Sequence, residues 1–182
     1  MTTSALPPGS CCFLVLSQVP NAYGEPLLQS WFGVPFADGG TDLPLRTLES
    51  LIADLRLDDP DLPNPCAVGD ERRAALEQLR KPAVDRAIAK MEGLREAFAV
   101  REDARNALRE QALRARIGTA ARQMELVLGD IHDVGIRRMK AARLEQERSH
   151  RQAELDAFVH WTKTSRHPET FVHAEIVAVF VH

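Results

Sequence analysis

Aromatic residues make up only 5% of this 182-residue chain, with two Trp and one Tyr among them, so little of the sequence resembles the aromatic-rich strands of a β-sandwich. Cysteine is also scarce. Its three copies, Cys11, Cys12 and Cys66, are odd in number and include an adjacent pair, which argues against a disulfide framework and for free thiols in a reducing cytoplasm. Long apolar runs are missing too. "MTTSALPPGSCCFLVL" has no basic start, and its short apolar run follows Pro7-Pro8-Gly9, so neither a signal peptide nor a membrane span is expected, nor a membrane as partner. The motifs HExxH, CxxC and GxGxxG do not occur, and Gly39-Gly40 is not followed by GK[ST]. No cofactor, metal or nucleotide site is therefore expected, and the chain is read as non-enzymatic.

What the chain does have is charge, unevenly placed. Residues 1–70 carry Arg46 and Arg56 against nine acidic residues, whereas residues 71–163 carry twenty basic against fifteen acidic ones, within a total of −3. An acidic base and a basic arm follow, and a basic arm suits a polyanionic partner.

Hydrophobic periodicity divides the chain further. Residues 1–10 read as a disordered lead-in, and "CCFLVLSQV" reads as a buried strand. "PNAYGEP" supplies turn residues, and the returning segment places Leu28, Phe32, Val34 and Phe36 on one face with Trp31 on the other. "LRTLESLIADLRL" has helical spacing, with Thr41 or Asp42 as the expected cap. These elements and the proline-rich "DDPDLPNPCAVGD" complete a base over 11–70.

Helix is expected through 71–163, with a stop or kink at Pro82 and a seam at Val84, Ile88, Met91, Leu94, Phe98, Ala104, Leu108, Ala112, Ile117, Ala121, Met124 and Leu128. "LGDIHDVGI" marks a reversal near 129–135, and Ile136 to Lys163 returns with Met139, Leu144, Leu155, Phe158, Val159 and Trp161. Within 164–182, "TFVHAEIVAVFVH" alternates, placing Val172, Ala174, Ile176, Ala178 and Phe180 on one face and Phe171, His173, Glu175, Val177 and Val179 on the other. The expected fold is α+β and mostly helical: a long antiparallel helical hairpin projecting from a small antiparallel sheet, formed by the N-terminal hairpin and the C-terminal strand.

Two basic groups flank the reversal, Arg114, Arg116 and Arg122 on one side and Arg137, Arg138, Lys140 and Arg143 on the other. Antiparallel helices bring them together as a candidate phosphate-binding surface, against the plainer reading that they solvate a helical face. The histidines show no ligand clustering, and a small enzyme built on His160, His167 or His173 lacks a nucleophile, base and orienter.

"NAYGEPLLQSWFGV", followed by a charged helical hairpin and an apolar last strand, resembles the region after the motor in bacterial Swi/Snf-type helicase-like ATPases, including ones associated with phage defence. The Walker A lysine, the DExx box and the arginine motif are absent, so no motor site maps onto these residues. The resemblance implies an accessory domain of a DNA translocase, with a helicase-like ATPase motor as partner and DNA as a further one; Trp31, on the face opposite Phe32 and Phe36, is the residue expected to mark the docking surface. The alternative is a coiled-coil-like interaction scaffold that forms a homodimer through its helical seam.

Overall fold

A mainly apolar run of ten residues makes the first strand, β1 (Cys11–Pro20), and β2 (Pro26–Phe36) returns beside it with Phe13 opposite Val34 and Val15 opposite Phe32. Gly24, at φ 81°, takes the left-handed conformation in the loop between them. The computed structural model describes residues 6–55 and 68–181. A two-residue strand, β3 (Arg46–Thr47), lies outside β2, and β4 (His173–Val181) pairs antiparallel with the free side of β1, giving the order β3-β2-β1-β4. The C-terminal strand thus closes on the N-terminal hairpin, as expected. β3 was not anticipated, because two residues are too few to show a period.

The faces of β4 depart from simple alternation. Ile176 pairs with Val15 and Ala178 with Leu14, so Val177 is an extra residue with no partner on β1. Such a bulge reverses the inside-outside phase beyond it. Ala174 and Ile176 pack with Phe13 and Val15, while Phe180 joins Cys12 on the opposite face, so the expected five-residue stripe is split.

Both faces of the sheet are covered. On one, Phe13, Val15, Val19, Phe32, Val34 and Phe36 meet Ala83, Ala87 and Met91 of the long helix α2 (Asp70–Gly129), with the rings of Phe13 and Phe36 edge to face at 5.8 Å. Each large side chain buried there is worth roughly 1.5–3 kcal/mol, and the alanines let the helix backbone come close. Arginines tie the same part of α2 down: Arg72 donates to the carbonyls of Gly9 and Ser10, Arg86 to those of Pro35 and Leu43, and Arg95 to that of Thr170. Arg86 also lies 3.3 Å from Asp42 and over the Phe36 ring.

On the other face, Leu51 of α1 (Leu48–Leu55) packs with Leu6 and Cys12. α1 begins later than expected. Its cap is Thr47, whose hydroxyl accepts the Ser50 amide hydrogen at 3.3 Å, and not Thr41 or Asp42. The intervening residues are drawn into an Asp42–Phe36 bridge and into β3, and so leave the helix.

Pro82 neither stops nor breaks α2, which continues from Asp70 to Gly129. The missing amide hydrogen falls on an exposed side of the helix, next to Ala83 and Ala87, which are fixed against the sheet. By internal contacts the chain divides into a sheet unit (Met1–Pro20, Gly24–Glu96, Pro168–His182) and a helical unit (Asn21–Tyr23, Ala97–His167).

Candidate interaction surface of the helical hairpin

The helical unit is the second part of α2 together with α3 (Val134–Ser165), running antiparallel. Ile117 and Gly118 face Leu155 and Val159 across one groove, and Met124 faces Leu144 across another. Local chemistry builds the turn. α2 ends at Gly129, and Asp133 caps α3 by accepting the Ile136 amide hydrogen at 2.9 Å. At the far end of α3, the amide of Ala22 and the side chain of Asn21 donate to the carbonyls of Thr164 and Ser165, and Asn21 accepts the Tyr23 amide hydrogen at 2.9 Å. These donors satisfy carbonyls that a helix end leaves unpaired. Asn21, 2% exposed, is the residue in "PNAYGEP" whose role the sequence did not disclose.

The buried line of α2 differs in its middle from the expected seam. Leu108 is 68% exposed and Ala104 and Ala112 are exposed, whereas Glu102 is buried and Asn106, Glu110 and Leu113 are half-buried. From Phe98 the helix presents every third or fourth residue inward, reaching 102, 106, 110, 113 and 117, and that track is polar as far as Glu110, where apolar residues were sought. Glu102 is held by Arg105 at 3.5 Å. From Ile117 onward, Ala121, Met124 and Leu128 are half-buried and fit the expectation. On α3, Leu155 is buried and Leu144, Phe158 and Val159 are half-buried, but Met139 is 67% exposed and Trp161 also stands at the surface.

The seven basic residues separate by what they touch. Arg114 forms an ion pair with Glu110 at 2.5 Å, Arg122 turns back to the Gly118 carbonyl at 3.5 Å, and Arg137 donates through two nitrogens to the Ile131 carbonyl and so braces the turn. Arg116, Arg138, Lys140 and Arg143 are exposed, and among the described residues none of them is in an ion pair. Lys140 and Arg143 border a groove of about 430 Å³, with Arg151 further along and Ala120, Gln123, Met124, Val127 and Leu144 completing the lining. Arg151 is shared with Glu147 at 3.3 Å.

Trp31, the expected docking residue, lies on β2. It is half-buried, opposite the half-buried Leu16 in the β1–β2 register. The histidines are dispersed: His150 lies 3.5 Å from Glu154, His167 lies 3.8 Å from Asp103, and His173 meets the Phe171 ring edge-on. Glu147 and His150 have the i, i+3 spacing of helical metal sites, yet each is paired elsewhere, and no cluster able to hold a metal ion occurs among the described residues. Cys11 and Cys12 are free and buried, and burial pushes the Cys12 thiol up to about 12. Both therefore remain protonated at neutral pH and are poor nucleophiles. Cys66 lies outside the described residues. No described helix is long and apolar enough to cross a membrane.

No family model matches the chain, and no curated protein or solved structure matches it either.

Proposed function

We propose that the chain is a non-enzymatic accessory domain of a helicase-like DNA translocase, of the kind associated with phage defence, working in the cytoplasm. In this reading it docks on a motor or partner protein and reaches nucleic-acid phosphates with the cations of its helical hairpin. The observation that carries it is the set Arg116, Arg138, Lys140 and Arg143, exposed and without ion pairs among the described residues, while Arg114, Arg122 and Arg137 serve the hairpin itself. Four phosphate contacts would give a slope of log K against log salt of about −3.6 on duplex DNA. Replacing Lys140 and Arg143 by Gln should flatten that slope by roughly two units. Absence of binding at low salt, or an unchanged slope, would refute the nucleic-acid part.

One observation favours the scaffold reading. Leu108, Leu126 and Met139 are each about two-thirds exposed or more, a high apolar content for the outer surface of a hairpin. A concentration-dependent sedimentation mass that reverts to monomer on Leu126→Ser and Met139→Ser replacement would support a homodimer. A constant monomer would remove it.

A further inference from the structure

The groove beside the turn combines a cationic side, which nucleic-acid contact would use, with an apolar floor, which it would not. Its floor is mostly apolar, made by Ala120, Met124 and Val127 of α2 with Leu144 of α3 and with Gln123 as its one polar member, and its α3 side carries Lys140, Arg143 and Arg151. No carboxylate lines it, and of its three cations Arg151 is paired with Glu147. Val127 is 51% exposed, so the floor opens to solvent.

From Lys140 to Arg151 the cationic side extends about 16 Å along α3, the length of three helical turns. Bases would find no aromatic platform there to stack on, and phosphates gain nothing from an apolar floor. An amphipathic helix fits both features. Its apolar stripe at i, i+3, i+4 and i+7 would lie on Met124, Val127 and Leu144 as a third helix, and acidic residues flanking the stripe would meet Lys140 and Arg143.

We propose that this groove is the docking site of an acidic amphipathic helix supplied by a partner protein. The inference rests on the reading of the chain as a docking accessory domain and names where and with what it docks. Lys140 and Arg143 are common to the helix and to DNA, so the two ligands compete, whereas the apolar floor belongs to the helix alone.

The test uses the full chain and a fluorescent 18-residue peptide with Leu at helical i, i+3, i+4, i+7 spacing and Glu elsewhere, a scrambled peptide of the same composition, and a duplex DNA of similar charge. Fluorescence anisotropy should show saturable binding of the patterned peptide. The scrambled peptide should bind at least about tenfold more weakly, because an apolar stripe is worth several kcal/mol only when it lies on one face. Val127→Ser should weaken the patterned peptide roughly tenfold, for the loss of one buried valine, while leaving DNA affinity within about twofold. That variant sits at an exposed position and spares the fold, which circular dichroism would verify. Lys140→Gln with Arg143→Gln should weaken peptide and DNA together. Equal binding of both peptides, or indifference of the patterned peptide to Val127→Ser, would overturn the groove assignment. Absence of DNA binding by the parent chain, with patterned-peptide binding intact, would instead strike at the translocase reading.

Discussion

Gly33 is the position where one added methyl group should do the most damage. A Cβ built there would lie 3.0 Å from Cβ of Arg46, 3.3 Å from Cδ2 of Leu51 and 3.4 Å from Sγ of Cys12. The first neighbour is anchored to the backbone of β3, and the second is the fully buried residue through which α1 rests on the sheet. Neither can withdraw cheaply. Moving Arg46 also disturbs its approach to Asp54, at 3.6 Å with the Asp54 side chain almost completely covered. Overpacking of this kind costs typically 1–3 kcal/mol. For a chain of this size each kcal/mol lowers Tm by about 2–4 °C, so Gly33→Ala should melt roughly 2–12 °C earlier. Urea unfolding followed by circular dichroism would measure it as a lower midpoint at unchanged slope. Gly24→Ala is a useful contrast, because its added Cβ meets nothing within 4 Å and its penalty comes from positive φ alone. A Gly33→Ala variant as stable as the parent would refute the claim that α1 is seated by close approach at this glycine.

Leu108→Ser should leave helical content and melting within about 0.5 kcal/mol of the parent, as for other exposed positions, whereas Leu155→Ala, at a buried position, should cost about 2–5 kcal/mol. The reverse ranking would restore the seam read from spacing. Burial raises the folded-state pKa of Cys12 from 9.0 to about 12 and that of Cys11 in the same direction. The native state therefore holds its protons where the unfolded chain releases them, so this stabilisation is complete below pH 9 and is lost as pH rises toward 12. Denaturation midpoints between pH 9 and 10.5 should fall less steeply for Cys12→Ala than for the parent, by up to about 1.4 kcal/mol per pH unit. Parallel pH profiles would contradict this.

Much of the architecture was legible in local pattern. A short apolar run marked β1, alternation after a turn marked β2, the Gly129–Gly135 interval marked the reversal, and the final alternating segment marked a strand that needed a partner. These signals depend on neighbours along the chain, which a sequence displays directly. The corrections concern relations that arise only in three dimensions. A bulge at Val177 changed which side chains of β4 share a face, and the polar track through Glu102, Asn106 and Glu110 displaced Leu108 from the seam. Docking against the sheet kept α2 helical through Pro82.

The candidate surface divides in the same way. Sequence located seven cations beside the turn, since their spacing along two helices is countable. Arg114 meets Glu110 and Arg122 the Gly118 carbonyl four residues back on the same helix, a spacing the sequence already offers, whereas Arg137 reaches the Ile131 carbonyl only through the geometry of the turn. Tertiary structure also set Lys140 and Arg143 beside the apolar floor supplied partly by the other helix. Composition and periodicity determined that this chain would form an α+β fold with a charged helical hairpin, because burial of apolar surface acts on residues within a turn or two of one another. Which cations border an apolar groove was decided only by packing, because that groove is lined by residues of two helices far apart in sequence.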